Sequence, residues 1–161
     1  MRNMARITVA AMAIVLGLLW VPDPADGQSR RALQRFATAP LTIETASGPK
    51  EFTVEVAKSS AQQSQGLMFR RRLAADAGML FVYRRVAPVA MWMQNTFIPL
   101  DMLFIGADRR IAHIAERTVP MSTATIESGK PVSSVLELNA GTVSRLGIKR
   151  GDVVTSPAFG R

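Results

Sequence analysis

Two carboxylates in this chain sit among apolar neighbours: Asp101 in the run Leu100 to Ile105, and Glu137 in the run Val135 to Leu138. Strand alternation puts Asp101 on a face with Leu103 and Ile105, and Glu137 on a face with Val135 and Asn139, so each acid is carried on a greasy surface whichever side is core. An ionised carboxylate withdrawn from water is costly unless it is paired and hydrogen-bonded. The partners on offer are Arg70, Asn95, Thr96 or a ligand. The functional expectation is a polar pocket in which Asp101 and Glu137 stand beside Trp92, Asn95 and Thr96, with Arg70 as charge partner. Carboxylates accept hydrogen bonds from hydroxyls and an indole offers a stacking face, which suits a small polar ligand such as a saccharide. The competing expectation is a buried network that knits neighbouring loops together. A general acid/base pair would make the chain a carboxylate-based hydrolase, and it requires two carboxyl groups roughly 5 to 9 Å apart across an open cleft.

Other chemistry-bearing residues point less far. His113 is the only histidine and alternates with Ile111 and Ala115, as a packed or surface strand residue does. No Gly-x-Ser-x-Gly elbow or Ser-x-x-Lys motif supports acyl transfer. Met91 and Met93 lie two apart, with Met68, Met79, Met102 and Met121 elsewhere. Thioethers favour Cu(I), so copper handling is an alternative, but methionine is also an ordinary filler of irregular cores and no metal site is expected. The run Arg70, Arg71, Arg72 could clamp an anion bidentately or form a solvated face.

The elements that must position these residues are short. Leu41 to Thr45, a turn at Ser47, Gly48 and Pro49, then Phe52, Val54 and Val56 in a period of two predict an opening hairpin. Ser60 with Gln63 resembles a capping box, and Gly66 ends the helix after about two turns. Further strands are expected at Gly78 to Tyr83, Val89 to Met93, Leu100 to Ile105, Arg110 to Arg117, Val135 to Leu138 and Val153 to Val154, with a second short helix within Ala140 to Leu146. No long crossover helix is available. The expected fold is therefore mainly β, a compact antiparallel β-sandwich or squat barrel with two short helices.

Gly66 to Arg70, Gly78 to Phe81, Met91 to Thr96 with Pro99, Leu100 and Asp101, and Val135 to Leu138 with Ala140, Gly141, Gly151 and Asp152 together resemble one prokaryotic family. That family is domain of unknown function 192, and the resemblance covers roughly residues 41 to 156. It implies a compact, mainly-β domain, often exported, and no established activity. One departure stands out: the family commonly places an arginine three residues before the helix-ending glycine, and here that position is Gln63. If such an arginine pairs with a carboxylate, the pairing here must fall to another group, such as Arg70, or be absent.

Compartment is read from the first residues. Arg2 and Arg6 precede an apolar run from Ile7 to Val21, then Pro22, Asp23 and Pro24, with Ala25-Asp26-Gly27 fitting a cleavage site before Gln28. The run falls short of the roughly 20 apolar residues of a spanning helix. The expected organisation is a signal peptide over 1–27, a linker over 28–40 and one domain over 41–161, in a periplasmic or secreted protein. With 161 residues and 48% apolar content the chain can bury a real core. Zero cysteines exclude disulfides, thiolate zinc sites, a cysteine nucleophile and a lipidated cysteine, and suit an oxidising compartment. The net charge of +8 comes from scattered arginine clusters without interleaved aromatics. Nucleic acid is therefore not the expected partner, whereas weak association with anionic envelope surfaces is. Taken together, the residues predict a monomeric, non-catalytic envelope module that binds a small polar ligand or an envelope component without a cofactor.

Overall fold

The period-two pattern of Phe52, Val54 and Val56 builds one strand of an antiparallel hairpin: β1 (Ala37–Thr45) pairs with β2 (Gly48–Ala57) from Ala37↔Val56 to Thr45↔Gly48. The computed structural model describes residues 33–160, so the expected signal peptide and the first part of the expected linker lie outside the described residues. β1 starts at Ala37, inside the stretch read as linker and ahead of Leu41. Pro40 did not stop it, because β9 (Val153–Thr155) pairs only with Thr42 to Glu44 and leaves Pro40 on a one-sided part of the strand, where proline is tolerated.

α1 (Ser60–Gln65) is capped by Ser59, whose Oγ accepts from the Gln62 amide at 3.2 Å while Gln62 Oε1 accepts from the Ser59 amide at 3.1 Å. The capping box is thus one residue earlier than the Ser60 and Gln63 pair expected. That frees Gln63, whose Nε2 donates to the Val82 carbonyl at 2.9 Å.

After α1 the chain crosses the sheet and enters β3 (Ala77–Ala87), which runs parallel to β2 from Thr53↔Ala77 to Ala57↔Phe81. The sheet is therefore not wholly antiparallel. A parallel pair needs a crossover of a dozen or more residues, and a six-residue helix with a long loop supplies it. Gly66 is required where this crossover passes over β3: its φ is +48°, and a Cβ there would lie 2.9 Å from the Phe81 ring.

The remaining elements are β4 (Ala90–Met91), β5 (Leu100–Ile105), β6 (Ile111–Ala115), β7 (Ile126–Glu127), β8 (Val132–Asn139) and α2 (Thr142–Leu146). Seven strands form one sheet in the order β6-β5-β8-β3-β2-β1-β9, and β4 pairs with β7 apart from it. The sheet curls into a half-barrel. Its edges meet near Arg110 and Val153, where the Ile111 amide donates to the Asp152 carbonyl at 3.0 Å and the Val154 amide to the Arg109 carbonyl at 2.8 Å.

Alternation divides the apolar residues into two cores. One contains Leu41, Val54, Leu80, Leu103, Leu136 and Val154. The other, on the opposite face of β3, β5 and β8, gathers Met79, Phe81, Leu100, Met102, Phe104 and Val135 with Leu67 and Met93 from the crossing loops.

Candidate functional site

Parity along β8 decides where Glu137 points. Leu136 and Leu138 belong to the first core and Val135 to the second, so Glu137 projects on the second face, opposite Met79 of β3 and Met102 of β5. There the crossover and the 89–96 segment do not close completely over the sheet. They leave a cavity of about 320 Å³ whose wall includes Glu137, Phe81, Tyr83, Met68, Met91, Trp92 and Thr96, with Ser60, Gln63 and Ser64 of α1.

Glu137 is 4% exposed, and burial pushes its carboxyl up to about 8 from an ordinary 4.5. Its carboxyl has no hydrogen-bond or ion-pair partner among the described residues, yet no fully sealed side-chain oxygen or nitrogen among them lacks a partner. The carboxyl therefore meets the cavity opening and not a protein donor. Tyr83 stands beside it, its phenol raised well above the usual range by burial first and by the Glu137 charge second. The Tyr83 hydroxyl donates to Met91 Sδ at 3.3 Å. Trp92 is 53% exposed at the wall, and Thr96 is buried with its Oγ1 donating to the Gln94 carbonyl at 3.3 Å.

Of the six residues expected in the site, the structure brings Trp92, Thr96 and Glu137 to this cavity. Asp101 is not with them. It projects on the opposite face of the sheet, because β5 pairs Met102 with Glu137 and thereby turns Asp101 toward the face of Leu103. Fully buried, it accepts from the Arg117 amide through Oδ1 and from the Val143 amide through Oδ2, both at 2.9 Å. Val143 is in the first turn of α2, whose N-cap is Gly141 and carries no capping side chain, so Asp101 supplies the missing acceptor from a distant strand. The two carboxylates do not share a pocket.

Arg70 and Asn95 also lie off the cavity wall. Arg70 forms a partly exposed ion pair with Glu55, and so is not the charge partner of Asp101 or Glu137. Asn95 takes a left-handed backbone with φ +56°, as asparagine tolerates, and its carbonyl accepts from the Phe69 amide at 2.9 Å. It binds the Trp92 loop to the crossover and so shapes the opening indirectly. Gln63, at the departure from the family pattern, lines the cavity but spends its amide on backbone carbonyls. The described wall contains no lysine, arginine or histidine, so the pairing expected of an arginine is absent here.

Tyr83, Met68, Ser60 and Ser64 were not among the expected site residues. Tyr83 could have been reached by parity once Met79 is set opposite Glu137, but nothing local in the sequence pairs β3 with β8. The spacing of Met91 and Met93 offers them as a copper pair. The two do not face one opening: Met91 lines the cavity, while Met93 is fully buried with Sδ 3.1 Å from Thr118 Oγ1. Among the described residues no group of three histidine, cysteine or acidic side chains could hold a metal. His113 packs against Phe104, ring centroids 5.5 Å apart.

A curled, mainly-β sheet with a carboxyl-bearing cavity under its one parallel crossover defines the class of domain. Its family model matches residues 41–156, and the chain belongs to that family, domain of unknown function 192, described as an uncharacterized ACR. Two solved structures are similar to it. One, from Sinorhizobium meliloti 1021 and provisionally described as a transcription regulator, is 49% identical, covers 78% of this chain and 98% of its own, and superposes with a TM-score of 0.76. The other, a protein of unknown function from Novosphingobium aromaticivorans DSM 12444, is 40% identical, covers 77% of this chain and 89% of its own, and gives a TM-score of 0.74. No curated protein matches the chain.

Proposed function

We propose that this chain is an exported, non-catalytic module of the cell envelope that binds a small polar ligand in the cavity walled by Glu137, Trp92, Tyr83 and Thr96. The observation that carries the reading is Glu137 itself, a nine-tenths buried carboxyl that meets an opening and no protein donor. A group so placed is satisfied by something that enters. Export rests on the basic, apolar and proline-punctuated leader. Glu137 is the only acid among the wall residues, so a two-carboxylate hydrolase has no second acid at this opening. The description of the Sinorhizobium protein would suggest a DNA partner. The α-helices among the described residues, of six and five residues, are short for a recognition helix, which favours the ligand-binding reading.

A thermal-shift screen of the full chain against saccharides, peptidoglycan fragments, amines, phosphates and metal ions tests this. A ligand at a hundred times its Kd adds about 2.7 kcal/mol to the native state. Trp92→Ala and Glu137→Gln are expected to stay folded and show a smaller shift, while Arg70→Ala, off the cavity wall, keeps it. A screen without a hit, or a hit indifferent to Trp92→Ala, removes the reading.

A second reading, contact with an anionic lipid surface, is favoured by exposed apolar side chains on loops that hydrogen bonds tie together. Phe69 and Phe97 meet edge to face with centroids 6.4 Å apart, Arg71 lies over Phe97, and the Met121 amide donates to the Thr96 carbonyl. Phe69, Phe97, Val119 and Met121 are all exposed. Aromatic and aliphatic side chains beside arginines suit the headgroup boundary of a negatively charged leaflet. Flotation with phosphatidylglycerol vesicles is expected to carry the chain, and Phe69→Ser with Phe97→Ser to release it. Equal flotation with purely zwitterionic vesicles would remove the electrostatic part of this reading.

A further inference from the structure

Charge is distributed unevenly between this chain and its cavity. The chain carries 20 lysines and arginines and a net charge of +8, yet none of the cavity wall residues is basic. The wall instead offers one carboxyl, the rings of Trp92, Tyr83 and Phe81, and the thioethers of Met68 and Met91. An anion entering would meet the Glu137 carboxyl and no compensating cation. A neutral sugar would satisfy that carboxyl as a hydrogen-bond partner but would draw nothing from its capacity to carry a charge. An organic cation does more: it supplies a countercharge that lets the buried Glu137 carboxyl ionise, and presents its positive face to rings whose quadrupoles attract it.

From this geometry we propose, resting on the cavity reading above, that the ligand is a small organic ammonium compound, held by an ion pair to Glu137 and by the aromatic and thioether wall. Trp92, half exposed, closes over the cation from the solvent side, while Phe81 and Tyr83 approach from the sheet. The cavity of about 320 Å³ is at the small end of ligand sites and fits a compact amine better than an oligosaccharide.

The site also couples binding to a proton. Around Glu137 the neighbours are Met79 and Tyr83 from β3, Met102 from β5, Ser60, Gln63 and Ser64 from α1, and Met91, Trp92 and Thr96 from the covering segment. Tyr83 is the only other titratable group among them, and burial keeps it neutral through the working range. With its own value near 8, Glu137 is mostly protonated at pH 7 in the empty protein. An arriving ammonium ion ionises it, so binding releases close to one proton at pH 7 and weakens as the pH is lowered.

Isothermal titration of the full chain with putrescine, choline and tetramethylammonium, in two buffers of different ionisation enthalpy, measures both affinity and protons released. Glucose, N-acetylglucosamine and inorganic phosphate are the comparison probes. The expected result is saturable binding of one or more of the ammonium compounds with release of close to one proton. Glu137→Gln, nearly isosteric and relieved of the buried charge, should weaken binding about tenfold or more and abolish proton release. Trp92→Leu should weaken it about two- to fivefold. Binding of a neutral sugar without any ammonium compound would overturn the cation assignment and leave the cavity reading standing. Ammonium binding unaltered by Glu137→Gln would overturn it too, and no binding by any probe would overturn both.

Discussion

Asp101→Ala is expected to destabilise the domain by about 3–5 kcal/mol, the largest loss of any single polar substitution here, because it orphans two amides at once. The Arg117 and Val143 amides each lose their acceptor, and the α2 N-terminus has no side chain of its own to replace it. Alanine also leaves a gap beside Leu103 and Leu138, its neighbours along and across the ladder. Asp101→Asn keeps a single acceptor oxygen and should lose about half as much. Urea denaturation at pH 7 measures both, and the ordering wild type, Asn, Ala is the informative result. A loss below about 1 kcal/mol for Asp101→Ala would mean that water reaches these amides and that the carboxylate does not hold β5 to α2. Because Asp101 points to the face of the sheet opposite the cavity, Asp101→Asn should bind ligand like the wild type wherever it is folded.

That carboxylate shows what could be read from the chain and what could not. Burial of both acids followed from period-two alternation, and Asp101 and Glu137 are 0% and 4% exposed. That they would share a pocket did not follow. Their relative side depends on the register between β5 and β8, and a shift by one residue exchanges the faces. With Met102 opposite Glu137, the acids diverge. Strand parity was legible within each segment, and the family motifs placed these segments correctly along one domain. Pairing between segments was not, since β3 lies between β2 and β8, and β8 is far from it in sequence order. The parallel β2 and β3 pair was hidden for a related reason: the crossover carries only a six-residue helix, so it lacks the long amphipathic stretch by which such connections are recognised. Three adjacent arginines give no local sign of which will find an acid, and Arg70 meets Glu55, half-buried on β2.

The empty protein is expected to lose stability as pH rises from about 5 to 8, and Glu137 gives the reason. Its carboxyl binds a proton with a value near 8 when folded and near the ordinary 4.5 when unfolded. Between these values the native state holds a proton that the unfolded state has released, so raising the pH favours unfolding. The steepest part of the fall should approach about 1 kcal/mol per pH unit, and the effect should level off below the unfolded value and above the folded one. Glu137→Gln removes the titrating group while keeping its volume. The variant is therefore expected to show a flatter profile and to exceed the wild type by about 2 kcal/mol or more at pH 8, where the wild type must bury a charge. Chemical denaturation at pH 5, 6, 7 and 8 distinguishes the two curves. Parallel curves would show that the carboxyl is hydrated or paired in solution, and would take away the physical basis for a ligand that completes it. A slope that vanishes on adding a saturating ligand would show the opposite: the same group, ionised at no cost because its countercharge has arrived.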